Sequence, residues 1–324
     1  RRLRRSFFGH YFTIAPWLRS PFEPHPDLVA QHFRFPVADP LRGEITLTGR
    51  LHQRGRTALL VLVHGMGGSA QSPYIRRACR QADEAGFDCL RLNLRGADRR
   101  GEDFYHGGQS EDLHRVLRAK ELRGYRDIYI LGYSLGGHMV LRFASEAADP
   151  RVRSVAAVCA PLDLRRGATI IDQRRRAPYR HRLLGGLKEM YREIDRRGGP
   201  LPLSVDDALR IQYVREWDDR IVAPRYGFAS ADAYYRKVSA ANGLHELRLP
   251  ALLVAAEADP MVTAASIRPV TERASRLHTV WLEHGGHVGF PREVDLGTGP
   301  DELEPQLLRW LCAPDSLPRT AREA

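Results

Sequence analysis

The sequence predicts an α/β protein, a mostly parallel central sheet with helices on both faces. Three observations carry this. Residues 57–63 (TALLVLV) form a continuous apolar run that stops at His64-Gly65, the pattern of a strand buried on both sides. Strand-like and helix-like segments then alternate along most of the chain, the order that builds parallel sheets through crossover helices. Glycine punctuates the transitions, as at Gly86 between a helical stretch and the next strand.

Taken in order, residues 32–37 and 44–51 alternate as antiparallel edge strands do, and 57–63 is the first buried strand. A helix is predicted over 74–85 and a strand over 87–92. The alternation continues as helix 109–122, strand 126–131, helix 135–148 and strand 152–159. It resumes with strand 248–256, helix 265–276, strand 278–283 and helix 301–312. Between the two series, residues 164–243 are rich in Arg, Tyr and Gly and hold amphipathic helical pieces at 183–194 and 205–217. They read as a helical cap insertion over the carboxyl edge of the sheet, where open α/β sheets bind ligands. The expected organisation is a core of 1–163 and 244–313, a cap of 164–243 and a frayed tail of 314–324.

Composition narrows the possibilities. With 43% hydrophobic residues, 324 residues suffice for a substantial core. No apolar run approaches the roughly 20 residues that cross a bilayer, and no signal-peptide pattern is present. The four cysteines (Cys79, Cys89, Cys159, Cys312) show neither CxxC pairs nor zinc spacing, which suits reduced thiols in a cytoplasmic protein. Net charge is +11 and only three lysines occur (Lys120, Lys188, Lys237), so the positive charge is nearly all arginine. The arginines are interleaved with acids and lie outside any nucleic-acid motif. No nucleic-acid partner is expected. The run Arg1–Arg5 followed by Phe7, Phe8, Tyr11, Phe12 and Trp17 has the composition of an interfacial segment. It leaves peripheral contact with the inner membrane face open beside packing on the domain.

Residues 128–137 (IYILGYSLGG) place a G-x-S-x-G directly after an apolar strand and before a helix-compatible run. That context marks a nucleophile elbow of the α/β-hydrolase fold. Gly132 and Gly136 make room for a sharp turn that presents Ser134 at the start of a helix. A serine nucleophile generates an oxyanion that needs fixed donors. One is expected from the N–H of Leu135. The other is expected from the N–H of Met66, in the glycine loop His64-Gly65-Met66-Gly67-Gly68. His64 itself is expected to pin that loop.

The acid and base follow in the chain order of this fold. Asp259 stands in a turn after the strand ending at Ala256, with Glu257 as its neighbour and Asp163 as an alternative acid position. His287 lies in the glycine-rich loop 284–290. His284, three residues earlier, has no third ligand to complete a metal site. No metal or organic cofactor is expected. The expected set is Ser134 as nucleophile, His287 as base and Asp259 as its orienting acid.

Several segments together resemble the YheT-like branch of the α/β hydrolases. They are Gly9-His10-x-x-Thr13 with Ile14 to Arg19, the 64–69 loop with Ser72-Pro73-Tyr74, Asn93-Leu94-Arg95-Gly96, and Tyr105-His106. The elbow, Trp217-Asp218-Asp219, Ala223-Pro224, Gly227-Phe228, Tyr234-Tyr235-Arg236, Ala258-Asp259-Pro260 and 285–290 complete the series. Residues 165–203 depart from it. The resemblance implies the same triad and an acyl-transfer chemistry, as in esterases, phospholipases and medium-chain alcohol acyltransferases. A serine hydrolase of a small-molecule carboxylic ester is the expectation. An alcohol acyltransferase using the same triad is the alternative. A non-catalytic binding protein on this scaffold fits less well with an intact set of Ser, Asp, His and donor loops.

Overall fold

Eight strands form one sheet in a computed structural model that describes residues 2–19, 28–146 and 149–314. The tail predicted at 314–324 lies outside the described residues from 315 on. So do Arg1 and the side chains of residues 2–5 and Trp17, which belong to the interfacial expectation.

The strands are β1 (Gln31–Asp39), β2 (Gly43–His52), β3 (Ala58–Val63), β4 (Asp88–Asn93), β5 (Asp127–Tyr133), β6 (Val152–Val158), β7 (Ala251–Ala256) and β8 (Leu277–Leu282). Their order across the sheet is β1-β2-β4-β3-β5-β6-β7-β8. β1 with β2 and β2 with β4 are antiparallel, and every later pairing is parallel. Only β1 of the two expected edge strands is an edge, because β2 is paired on both sides.

The strand side chains alternate between two cores, as the period of two requires. Leu59, Val61, Val63, Ile128 and Ile130 enter one; Leu60, Leu62, Tyr129, Leu131 and Tyr133 enter the other. Full burial of each such Leu, Ile or Val stabilises by about 1.5–3 kcal/mol. The second core is covered by α2 (Pro73–Glu84) and by the last helix, Leu303–Cys312. The first is covered by α3 (Ser110–Val116) and α4 (Leu135–Ser145).

Among the described residues, 164–243 contributes helices and no strand. These are α5 (Leu164–Ile171), α6 (Ala177–Arg196), α7 (Val205–Arg210), α8 (Val214–Trp217), a π-helical turn (Asp218–Val222), α9 (Ala223–Arg225) and α10 (Ala231–Val238), with short 3-10 turns at Arg174–Arg176 and Ala240–Asn242. The single helix expected over 205–217 is broken at 211–213. Lys188 Nζ donates to the Leu209 and Ile211 carbonyls (2.8 and 2.6 Å) and Asp172 accepts from the Val214 N–H (2.8 Å). Those bonds replace the intrahelical ones. After β7 come α11 (Ala264–Thr271), β8 and α12 (Leu303–Cys312). The amino-terminal segment is a helix, α1 (Arg2–Arg19), not anticipated as such.

Candidate active site

β5, β7 and β8 all run toward the same sheet edge, so the loops after them converge. Ser134 follows β5 and begins α4 with φ 53° and ψ −120°. That left-handed geometry is strained for a non-glycine residue. Its N–H donates to the Val158 carbonyl (2.8 Å) and its carbonyl accepts from the His138 N–H (3.0 Å), which pins the turn at both ends. The elbow glycines are required by close approach. A Cβ on Gly132 would lie 2.5 Å from the Gly136 carbonyl oxygen, and one on Gly136 2.4 Å from that of Val63.

Ser134 Oγ lies 2.9 Å from His287 Nε2, and His287 Nδ1 lies 2.9 Å from Asp259 Oδ2. An ionised carboxylate only accepts, so Nδ1 carries the proton and Nε2 is left to accept from the serine hydroxyl. The other oxygen, Asp259 Oδ1, accepts from the N–H groups of Met261 and Val262 (2.7 and 2.9 Å). Both His287 and Asp259 are buried, while Ser134 is half-buried against a cavity of about 980 Å³.

The 64–69 loop forms the opposite wall. Its N–H groups are disposed of in turn. Gly65 N–H donates to the Tyr74 hydroxyl (3.0 Å), Gly67 N–H to the Tyr105 hydroxyl (2.6 Å) and Gly68 N–H to the Gly65 carbonyl (3.1 Å). Among the described residues, neither the Met66 N–H nor the Leu135 N–H has a partner within the chain. Two unoccupied donors beside a serine hydroxyl can hold an oxyanion. Burial pushes the Tyr105 phenol up to about 12, so it stays protonated.

His64 pins the loop and is not brought to Ser134 by any hydrogen bond. Its Nδ1 donates to the Gly65 carbonyl (2.8 Å) and its Nε2 accepts from the Leu94 N–H (3.1 Å). Burial lowers its pKa to about 4, which keeps it neutral. Glu257 turns away to pair with Arg268. Asp163 caps α5 through the Arg166 N–H (3.0 Å), and His284 is exposed. The Sγ of Cys159 comes within 4.8 Å of the Asp259 and His287 ligand atoms. A cation held by this trio would take Nδ1 from Asp259 and cost the histidine its orientation toward Ser134.

α1 supplies residues that the sequence did not assign to the site. Thr13 Oγ1 accepts from the backbone N–H of His287 (2.7 Å) and donates to the Gly9 carbonyl (2.7 Å). Gly9 lies against the Asp259 loop so closely that a Cβ there would sit 2.0 Å from the Ala258 carbonyl oxygen. The Gly9-His10-x-x-Thr13 pattern was the available signal for this contact. From the insertion, α6 rests on the oxyanion-side loop. A Cβ on Gly186 would meet Gly67 Cα at 2.8 Å, and His181, Leu183 and Glu189 line the cavity with Ser134.

Comparison with known proteins agrees with this fold. The sequence profile of the alpha/beta hydrolase fold matches residues 58–293. A protein of Escherichia coli (strain K12) named as an esterase, YheT, is 31% identical over 258 residues, 78% of this chain and 73% of its own length. A monoacylglycerol lipase of Saccharomyces cerevisiae (strain ATCC 204508 / S288c) is 24% identical over 255 residues, 74% of this chain. The alignment spans 56% of that relative's length. Among solved structures, the Pyrococcus furiosus esterase PF2001 superposes with a TM-score of 0.53 at 14% identity, covering 81% of this chain and 85% of the other, a likeness of fold.

Proposed function

Since the chain belongs to the α/β-hydrolase family, in its YheT-like branch, we propose that it is a serine esterase that cleaves carboxylic esters through an acyl-enzyme on Ser134. The observation that supports this best is the connected path from Asp259 through His287 to Ser134, two contacts of 2.9 Å, beside two unoccupied N–H donors. His287 Nε2 takes the serine proton as Oγ attacks the ester carbonyl. The N–H groups of Met66 and Leu135 receive the oxyanion. Asp259 stabilises the imidazolium, which then protonates the departing alcohol. Water activated by the same imidazole releases the acid and restores the serine. Residues 164–243 act as a cap, with α6 forming one wall of the acyl pocket.

Turnover of p-nitrophenyl esters of graded chain length tests the reading. Ser134→Ala is expected to lower kcat by at least about 10³-fold and to abolish labelling by a fluorophosphonate probe. Undiminished turnover by that variant refutes the assignment. Adding ethanol separates the two acceptors, because an acyltransferase yields ethyl ester where a hydrolase yields free acid.

A second observation favours contact with a lipid surface. Phe7, Tyr11, Ile14 and Leu18 recur at helical spacing on α1 and are exposed, Phe7 and Leu18 by 68% each. Tyr11 also lines the cavity that holds Ser134. An apolar stripe on a basic protein is suited to an anionic bilayer. Among the described residues no helix is long and apolar enough to cross one. Sedimentation with vesicles containing phosphatidylglycerol should carry the protein down at low salt. Phe7→Ser with Leu18→Ser should weaken this about 100-fold or more, since each buried side chain contributes roughly 1.5–3 kcal/mol. Equal recovery of both proteins in the supernatant removes this reading.

A further inference from the structure

A second cavity, of about 400 Å³, opens on the other side of the oxyanion-side loop. Gly67, Gly68, Ser72 and Arg99 belong to the walls of both cavities. Its floor is the antiparallel corner of the sheet. There the register sets His32 opposite Arg50 and Arg50 opposite Arg91, and two residues along sets Arg34 opposite Thr48 and Thr48 opposite Asn93. Directly opposite residues share a face, with Cβ atoms roughly 5 Å apart, and like charges so placed are destabilising.

The compensating acids are few. Arg50 Nη1 donates to His32 Nε2 (2.9 Å) rather than to a carboxylate. Among the described residues, the guanidinium groups of Arg34, Arg50 and Arg100 form no ion pair with a carboxylate. Asp98, the one acid lining this cavity, is engaged by the Thr48 hydroxyl (2.9 Å) and the Arg100 N–H (3.0 Å). Arg99 bonds Glu189 at 3.3 Å from a left-handed backbone, φ 62°, rare for a non-glycine residue. Thr48, Ser72 and Gln71 add hydroxyl and amide groups to the same walls. The guanidinium forks of Arg34, Arg50 and Arg100, lining one cavity without a carboxylate pair among the described residues, suit a multidentate oxyanion.

We propose that this groove binds a phosphate group, and that the phosphate is carried by the ester whose carbonyl reaches Ser134. The site itself stands on the arginine placement. Its coupling to an ester rests on the esterase reading and on the shared wall. A phosphate can reach the groove on the substrate or as the free ion, and two measurements separate these sources.

The first is titration of inorganic phosphate into the Ser134→Ala protein, followed by calorimetry and 31P line broadening. Saturable binding is expected, weakened about tenfold in Arg50→Gln and in Arg34→Gln, with neither substitution lowering the melting temperature in phosphate-free buffer. The second compares two esters of one acyl chain, one bearing a phosphate on its alcohol portion and one neutral. The ratio of kcat/KM for the phosphorylated over the neutral ester should fall about tenfold in each arginine variant. Binding of phosphate with an unchanged ratio assigns the groove to the free ion and overturns the coupling. No saturable binding, or binding indifferent to both substitutions, overturns the site. Because the titration uses a protein without the nucleophile, its result is independent of whether the chain turns over any ester.

Discussion

Two tyrosine hydroxyls decide which backbone donor of the 64–69 loop faces the cavity. Tyr74 takes the N–H of Gly65 and Tyr105 that of Gly67, so the N–H between them, on Met66, is the one left over. Tyr105→Phe removes the acceptor and leaves the Gly67 N–H short of a partner, a penalty of about 1–3 kcal/mol. The expected result is a fall in kcat of about tenfold with KM changed less than about twofold. Equal effects on kcat and KM would assign Tyr105 to substrate binding instead. At this scale the sequence was most legible where a residue's place in the fold follows from its own neighbours. Ser134 lies between strand and helix, and Asp259 and His287 lie in turns just after strands. The Tyr105 role was hidden because its partner is 38 residues away, and only the tertiary fold closes that distance.

α1 acts as an element, through what it holds in place. Its inward surface is Gly9 and Thr13, small enough to bring its backbone against the loops of both Asp259 and His287. Thr13→Val deprives the His287 N–H of its acceptor and the Gly9 carbonyl of its side-chain donor. If His287 is the proposed base, a lapse of about 1 Å in its position costs up to about 10²-fold in rate. Thr13→Val is therefore expected to lower kcat about 10- to 100-fold and to slow fluorophosphonate labelling in parallel. Thr13→Ser, which keeps the hydroxyl, should restore both. Loss of rate without recovery in the serine variant would speak against the hydroxyl's role. The same geometry explains why this helix was not anticipated. Hydrophobic periodicity locates helices that bury an apolar face, whereas α1 turns Phe7, Tyr11, Ile14 and Leu18 outward and packs through a glycine and a threonine. The parallel strands were readable for the opposite reason, since apolar runs such as 58–63 are buried on both sides.

For the whole molecule, core and insertion are joined by buried charge. Arg95 bonds Asp112, Asp39 and Asp103, and Arg225 of α9 reaches Asp39 and Asp103. Such pairs fix an orientation more than they add stability. No local pattern announces them, because their members are up to 186 residues apart. Nearby, Asp218 is buried in the π-helical turn and accepts from the Tyr235 hydroxyl (2.6 Å). Burial raises its carboxyl to about 7, with Asp172 and Asp219 adding to the rise and Tyr235 opposing it. The folded chain thus keeps a proton that the unfolded chain releases near pH 3.8. The unfolded state binds fewer protons in that window, so this group's contribution to stability falls as pH rises from about 4 to about 7. Relative to the native protein, Asp218→Asn should gain stability across that window, by at most about 4 kcal/mol above it. Urea midpoints at pH 5 and pH 8 measure this, and a difference that does not change with pH counts against it. The long Thr13–His287 contact also bears on biosynthesis. Ser134 is synthesised 153 residues before His287, and Thr13, which accepts from the His287 backbone N–H, 274 residues before it. A chain synthesised only as far as α4 therefore holds Ser134 without its histidine partner. α1 correspondingly gains its contact at the His287 backbone only after the segment carrying His287 has been made.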